Sequence, residues 1–261
     1  MGESAFRVED NAAERTATLR FTRPDDGNRL SLREIAAVGQ TIRELGTRRG
    51  VKLVILQGDG EDFCLGRAPG PAGEAPKSAI EIRNSITQPI LEVYENIRAT
   101  PVPVLAMVQG RASGFGCALV GQCDLAIAAD TAKFATPGVT WGFFCSTPGV
   151  AVGRNISRKR ALEMLLTGEQ IDARTALDWG MVNRVVAAAA LERETEKLAR
   201  AIAEKPPVQT AAGKRAFYQQ LDLGAAKAYE LASGVISASF AHDEGRAGMD
   251  AFLGKRPPPK H

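Results

Sequence analysis

Three short apolar segments in the first half of the chain constrain the fold more than any other feature. Residues Val51–Leu56, Val102–Val108 and Asp124–Ala129 consist almost entirely of apolar side chains. Runs of this kind predict strands that are covered on both faces, as in a parallel sheet whose strands are joined by helices. A fourth strand is predicted at Thr16–Phe21, which runs into a turn at Pro24–Gly27. The first half of the chain is therefore predicted to be an α/β unit.

Segments with helical periodicity separate these strands. Ser31, followed by Glu34, predicts a capping box at the start of a helix that reaches Leu45. Residues Ser78–Arg98 carry an apolar stripe at three- and four-residue steps, which predicts a long helix, and Pro89 predicts a kink within it. Helices dominate beyond about residue 155, and they are predicted at Arg158–Thr167, Asp172–Trp179, Leu191–Glu204, Val208–Leu221, Ala225–His242 and Glu244–Leu253.

The composition excludes several classes of function. The 261 residues include 33 Lys and Arg and 30 Asp and Glu, and a net charge of +3 is too small to indicate nucleic-acid binding. With only His242 and His261 available, we expect no multi-histidine metal centre. The sequence has no apolar stretch long enough to predict a membrane span, and its polar start does not resemble a signal peptide. Four cysteines without a CxxC pair favour free thiols and a cytoplasmic location.

The commonest motifs of α/β enzymes are also missing. The sequence contains no GxGxxG that opens a helix after a strand and no GxxxxGK[ST] phosphate loop. No serine has glycines two residues before and two residues after it, which excludes a nucleophile elbow. The candidate chemistry must therefore come from another pattern.

Two junctions between a strand and a loop supply that pattern. They are Gly58–Arg67 and Val108–Leu119, and each places small residues at the carboxyl end of a predicted strand, where open α/β sheets bind ligands. The second junction runs directly into a predicted helix, whose first backbone N–H groups lack partners within the helix. Two such donors on one negatively charged oxygen would form an oxyanion hole, with about 3 kcal/mol of stabilisation from each donor.

Seven segments, in this order along the chain, resemble the crotonase (enoyl-CoA hydratase/isomerase) superfamily. They are Gly58–Arg67, Val108–Leu119, Cys123–Ala128, Phe134–Pro137, Leu165–Glu169, Gly180–Asn183 and Glu244–Arg256. The segment Phe134–Gly149 is most similar to the enoyl-CoA hydratase domain-containing branch. The resemblance implies an α/β fold, a spiral of ββα units with a helical C-terminal region. It also implies a core of residues 1–200 with the acyl-CoA site, and a trimerisation region of residues 201–261 in a homotrimer or a dimer of trimers.

The resemblance further implies how the site works. A thioester enolate would be stabilised by the backbone N–H groups of Arg67 and Phe115, with Gly116 as an alternative to Phe115. The alternative interpretation of Gly114 and Gly116 is that they only permit close helix packing. The Arg67 side chain either contacts a CoA phosphate or is solvated.

CoA is expected as part of the substrate, with no separate cofactor. The resemblance places it beside the segment of Asn28, Arg29 and Leu30, together with Arg67. Phe252 and Lys255 match positions that reach the nucleotide from a neighbouring subunit, although Lys255 could equally be a plain surface lysine. A lysine would supply a positive charge for phosphate without a fixed geometry.

The chain departs from the family pattern at the acid–base positions. Hydratases of the family hold a water molecule between two glutamates, and this chain has Ala118 and Gly138 at those positions. Cys145 and Ser146 stand near the place where other members carry an acid. Cys145 is interpreted either as a thiol proton donor or as a small buried apolar residue.

The loop after the first junction also departs from the family. Its glycines and prolines predict an irregular loop over Gly66–Gly73. Three carboxylates border this loop, and they are expected to be solvated: Glu61, Asp62 and Glu74.

Two function classes follow from this pattern. The first is an enzyme of the lyase or isomerase type that acts on acyl-CoA thioesters without the two-glutamate hydration mechanism. The alternative is a CoA-thioester-binding protein without catalysis. RNA binding by a chain of this fold has little support from a charge of +3 spread along the sequence.

Overall fold

A six-stranded sheet forms the centre of the protein in the computed structural model, which describes residues 4–69 and 78–259. Its strands are β1 (Phe6–Asn11), β2 (Thr16–Phe21), β3 (Leu53–Gly58), β4 (Val104–Val108), β6 (Leu125–Ala129) and β9 (Arg184–Val186), in that spatial order. Strand β1 pairs antiparallel with β2, and every other pair is parallel. The parallel α/β arrangement predicted from the apolar segments is therefore present.

A smaller sheet lies beyond the carboxyl ends of the central strands. It contains β5 (Arg111–Ser113), β7 (Lys133–Ala135) and β8 (Ile171–Asp172), with β5 parallel and β8 antiparallel to β7. These three strands, β1 and β9 are not among the strands predicted from the sequence. Strands of two or three residues are too short to show a periodicity, and β1 is a largely exposed edge strand with four polar residues.

Helices cover the central sheet and form the end of the chain. They are α1 (Leu32–Thr47), α2 (Ala79–Ile82), α3 (Gln88–Ala99), α4 (Phe115–Gln122), α5 (Ser146–Gly153), α6 (Arg158–Thr167), α7 (Ala173–Trp179), α8 (Leu191–Ala203), α9 (Pro207–Gln220), α10 (Ala225–Ala241) and α11 (Asp243–Leu253). No helix in the described ranges is both long and apolar enough to cross a membrane.

Side chains along the central strands point alternately to the two faces of the sheet, and both faces are buried. Val54 and Leu56 face the main core beneath α1, α3 and α4, whereas Leu53 and Ile55 face a smaller cluster covered by α8. Helix α1 begins at the predicted capping box, in which the Ser31 hydroxyl accepts from the Glu34 N–H and the Glu34 carboxylate accepts from the Ser31 N–H.

The long predicted helix is interrupted where Pro89 disturbs its hydrogen bonding. A π-helical turn at Arg83–Thr87 separates α2 from α3. Proline has no N–H to donate to the preceding turn, and a π turn is a common local adjustment to such a gap. The extra residue in the turn also rotates the apolar stripe. Ile90 and Ile97 are buried, whereas Ile82, which belongs to the same apolar stripe of Ser78–Arg98 in the sequence, is exposed.

The last three helices expose apolar side chains. Neither α9 nor α10 contains a buried residue, and exposed residues on them include Phe217, Ile236 and Phe240. Lys214 on α9 is one of the residues that attach them to the core. Its ammonium group donates to the carbonyl oxygens of Ile97 (2.8 Å) and Val102 (2.9 Å) and pairs with Asp124. The division at residue 200 and the role in trimerisation stay predictions.

Candidate active site

Short backbone pairing joins the two junctions that the sequence singled out. The N–H of Cys64 donates to the carbonyl oxygen of Arg111 (3.2 Å), and the N–H of Ser113 donates to the carbonyl oxygen of Cys64 (3.0 Å). These two hydrogen bonds form a parallel bridge between Cys64 and Ala112. The loop after β3 is thereby fixed against the start of α4.

Gly66 allows these two backbones to approach closely. Its φ is +99°, and a Cβ added there would lie 2.8 Å from the carbonyl oxygen of Ser113 and 3.4 Å from the backbone nitrogen of Phe115. No side chain fits that space without moving the backbone. The residue after it, Arg67, is therefore placed beside the first turn of α4.

Arg67 and Phe115 each present a backbone N–H group without an acceptor among the described residues. Leu30 fixes the direction of the first group, because its N–H donates to Gly66 and its carbonyl oxygen accepts from Ala68. Phe115 is the first residue of α4, and Gly114 precedes it with a φ of +55°. Unpaired N–H groups are normal at a helix start. The loop that carries Arg67 approaches this one, since a Cβ on Gly66 would lie 3.4 Å from the Phe115 nitrogen.

Gly116 serves close packing. A Cβ on this residue would overlap the carbonyl group of Cys64, so the glycine lets α4 lie directly against the first loop. Gly114, in contrast, faces open space, since no atom would lie within 4 Å of a Cβ there. The space around Gly114, at the start of α4, is therefore open.

Ala118 and Gly138, the positions where the resemblance predicts glutamates, are both buried. A Cβ on Gly138 would lie 2.7 Å from the sulfur of Cys145, so the thiol occupies the volume that a side chain at residue 138 would need. The Gly138 N–H donates to Cys145 Sγ at 3.2 Å. Burial raises the pKa of the Cys145 thiol, and this hydrogen bond partly opposes the shift. Cys145 is therefore a neutral thiol at neutral pH.

Ser146 is the first residue of α5 and lies at the surface. Its hydroxyl donates to the carbonyl oxygen of Phe144 at 3.4 Å. Cys145 and Ser146 are thus neighbours with different environments, and only Cys145 lies against Gly138.

Tyr94 is a site neighbour that sequence reasoning placed only in the apolar stripe of α3. Its ring stacks on the ring of Phe115, with 6.0 Å between centroids and 21° between planes. The sequence could have pointed to Tyr94 because it is a tyrosine within a stripe of isoleucines. Its hydroxyl needs a hydrogen-bond partner that the apolar stripe does not provide.

The segment predicted to lie beside CoA is largely occupied with holding the loops together. The Asn28 side chain is buried; it donates to the carbonyl oxygens of Asp59 (2.9 Å) and Asp62 (2.7 Å) and accepts from the Arg23 N–H. Its neighbour Arg29 lines a cavity of about 590 Å³ with Arg111, Asp62 and the Pro24–Gly27 turn. The side chain of Asn28 thus has a structural role in holding the loops together.

The remaining predicted CoA contacts are exposed. The Arg67 side chain reaches only the carbonyl oxygen of Ala68 among the described residues, at 3.3 Å. Phe252 is 77% exposed on α11, which packs on α9 and α10, and Lys255 lies just beyond it with a φ of +50°. Contact of these two residues with a neighbouring subunit stays a prediction.

One of the carboxylates expected to be solvated is buried. Asp62 accepts from the backbone N–H of Arg111 (3.0 Å) and from its guanidinium group (2.7 Å), and this partner lowers the carboxyl pKa. Glu61 is exposed, as expected. Glu74 and Gly70–Gly73 of the irregular loop lie outside the described residues.

Replacing Asp62 by asparagine is expected to lower the free energy of unfolding by about 2 kcal/mol at neutral pH, because a charge-assisted hydrogen-bond pair is lost. The wild-type advantage is present above the ordinary carboxyl pKa of 3.8 and disappears as the pH falls through the lower folded value. Urea denaturation of both proteins at neutral and acidic pH measures this difference in the free energy of unfolding. The control is Asp26→Asn, which removes an exposed pair with Arg29 and should change stability by less than about 0.5 kcal/mol.

Comparison with known proteins identifies the family. The family model described as "Enoyl-CoA hydratase/isomerase" matches residues 11–260. Mouse "Enoyl-CoA hydratase domain-containing protein 3, mitochondrial" is 40% identical over 238 residues, covering 91% of this chain and 79% of the mouse protein. The human protein of the same name is also 40% identical, over 91% of this chain and 78% of its own length.

Solved structures agree over nearly the whole chain. An enoyl-CoA hydratase of Mycobacterium smegmatis superposes with a TM-score of 0.94 at 37% identity, covering 99% of this chain and 100% of that one. Human enoyl Coenzyme A hydratase domain-containing protein 3 superposes with a TM-score of 0.91 at 36% identity, covering 98% and 99%. The predicted crotonase fold, an α/β spiral with a helical C-terminal region, is confirmed.

The predicted cytoplasmic location is wrong. The mouse, human and rat relatives all carry "mitochondrial" in their names, which points to mitochondria instead. The prediction rested on the four cysteines, and all four are free thiols. Free thiols indicate a reducing compartment, and this property does not distinguish the cytosol from other reducing compartments. From the matches in sequence and fold together, the chain belongs to the enoyl-CoA hydratase/isomerase family, the crotonase superfamily, in its enoyl-CoA hydratase domain-containing branch.

Proposed function

We propose that this protein is an enzyme that binds an acyl-CoA thioester and stabilises its enolate through the backbone N–H groups of Arg67 and Phe115. The carrying observations are that both groups lack an acceptor among the described residues, and that the close approach of Gly66 to Ser113 and Phe115 brings the loop of Arg67 against the start of α4. A thioester carbonyl oxygen between them would receive two hydrogen bonds, and these strengthen as the oxygen gains negative charge. CoA enters as part of the substrate, with no separate cofactor.

The acid–base chemistry differs from that of a two-glutamate hydratase. Neither Ala118 nor Gly138 can accept or release a proton, and the Cys145 thiol fills the space beside Gly138. The proposed reaction is therefore a lyase or isomerase step that uses the enolate. The proton is carried by a group other than these two residues or by the substrate itself.

Hydration of crotonyl-CoA is expected to be at least about 100-fold slower than in a family member that carries both glutamates, because general acid–base catalysis contributes about 10² to 10⁴ in rate. The loss of enoyl-thioester absorbance, followed side by side for the two proteins, measures this. A rate equal to that of the two-glutamate enzyme would contradict the proposed chemistry.

A CoA-thioester-binding protein without catalysis is the second candidate. The absence of a carboxylate at both positions favours it, because binding needs only the N–H pair and the CoA contacts. A thermal shift assay with a panel of acyl-CoA thioesters, followed by product analysis of every thioester that stabilises the protein, separates the two. Binding without any product would favour the second candidate.

We also propose that the protein assembles as a homotrimer or a dimer of trimers. The exposed apolar residues of α9 and α10 support an interface on the last helices. In such an assembly Phe252 and Lys255 of one subunit would be available to the nucleotide bound by another. Light scattering with size-exclusion chromatography gives the subunit number.

A further inference from the structure

The Tyr94 hydroxyl is a buried polar group without a partner. The residue is 4% exposed, and its Oη makes no hydrogen bond with any described residue. Native proteins pair nearly all such groups, so an orphan of this kind needs an explanation. The explanation depends on where the hydroxyl lies.

Tyr94 borders the candidate active site on the side of Phe115. The two residues belong to one buried cluster that also contains Cys64, Cys117 and Ala118. Cys64 Sγ accepts from the Gly66 N–H (3.4 Å), Cys117 directly precedes Ala118, and Cys145 Sγ lies against Gly138. The Tyr94 ring meanwhile stacks on Phe115. Tyr94 therefore lies against the residue that supplies one oxyanion donor, in the buried cluster that contains Ala118, one of the positions that lack a glutamate.

We propose that Tyr94 is a specificity-determining residue whose hydroxyl donates a hydrogen bond to an oxygen on the acyl chain. The preferred thioester then carries a hydroxyl or carbonyl oxygen on a carbon close to the thioester group. This inference rests on the proposed function, because it assumes that an acyl-CoA thioester occupies the site. The hydroxyl is enclosed in the free chain, so binding includes a small local side-chain movement that ends in the new hydrogen bond.

The chemistry of the surroundings favours donation from Tyr94. Burial raises the pKa of Tyr94, so the phenol keeps its proton at neutral pH. Thiol sulfur is a weak acceptor and competes poorly for that proton. A hydrocarbon chain would leave the hydroxyl unpaired, and sites with an unpaired polar group discriminate strongly against ligands that lack the matching atom.

The first experiment compares two ligands on the wild-type protein by isothermal titration calorimetry. Because one buried hydrogen bond separates them, 3-hydroxybutyryl-CoA is expected to bind about tenfold more tightly than butyryl-CoA. Equal affinities would overturn the inference on Tyr94 and leave the proposed function intact. Failure of both thioesters to bind would overturn the proposed function itself, and the inference with it.

The second experiment uses Tyr94→Phe, which keeps the ring and removes only the hydroxyl. The variant should bind 3-hydroxybutyryl-CoA about tenfold more weakly and butyryl-CoA as before. The free variant should melt about 3 °C higher than the wild type, because an unpaired buried hydroxyl has been removed. Tyr229→Phe, at a tyrosine that is 78% exposed, is the matched control and should change neither quantity. A lower melting temperature for Tyr94→Phe would show that the hydroxyl has a partner within the protein and would overturn the inference.

Discussion

Replacing Gly66 by alanine is expected to reduce turnover by about 100-fold or more, a loss typical of removing one oxyanion donor. The new Cβ would lie 2.8 Å from the carbonyl oxygen of Ser113 and 3.4 Å from the nitrogen of Phe115, at a φ of +99°. Both the contact and the conformation force the loop away from α4, which separates the N–H groups of Arg67 and Phe115. The measurement is steady-state kinetics with a CoA thioester that product analysis shows the wild type to convert.

Gly50→Ala is a matched control for this change. Gly50 also has a positive φ, of +90°, but no atom would lie within 4 Å of its Cβ. Both variants should lose about 1 kcal/mol of stability from the left-handed conformation, and only Gly66→Ala should lose turnover. If folded Gly66→Ala kept the wild-type rate, the N–H pair would not be the source of catalysis.

Local sequence signals predicted the elements that depend on local physics. The capping box at Ser31 and Glu34 is present, and Arg158–Thr167 is helical at the predicted bounds. Apolar runs correctly predicted that β3 and β4 are buried on both faces. The apolar stripe of Ser78–Arg98 is not buried as far as Ile82, because the π turn that adjusts to Pro89 changes the side-chain register. A periodicity of 3.6 residues cannot anticipate that change.

The candidate site depends on contacts between residues far apart in the chain. Arg67 and Phe115 become neighbours through the bridge between Cys64 and Ala112, which no local pattern encodes. That their two N–H groups act together as donors was predicted only through the family resemblance. Asp62 was expected to be solvated because carboxylates in loops usually face solvent. Its guanidinium partner comes from β5, a strand that was not predicted.

Replacing Lys214 by alanine is expected to lower the free energy of unfolding by about 3–5 kcal/mol, the usual cost of removing one partner of a buried ion pair. The Lys214 side chain is 7% exposed, and its loss leaves the carbonyl oxygens of Ile97 and Val102 without their donor. Asp124 keeps the N–H of Val104 and the hydroxyl of Tyr218 but loses its cation. Urea denaturation at one fixed protein concentration measures the change.

Two further variants distinguish the charge of Lys214 from its packing. Lys227→Ala, at an exposed lysine on α10, should change stability by less than about 0.5 kcal/mol. The double variant Lys214→Met with Asp124→Asn should recover part of the loss, because it leaves no buried charge unpaired while keeping an aliphatic side chain and an acceptor for Val104 and Tyr218. A Lys214→Ala loss below about 1 kcal/mol would contradict the prediction, because an exposed pair costs no more than that. The Lys214 ammonium group connects α9 to the end of α3 and to the residues that precede β4 and β6. The exposed apolar helices at the end of the chain are therefore held to the core by a charge as well as by packing.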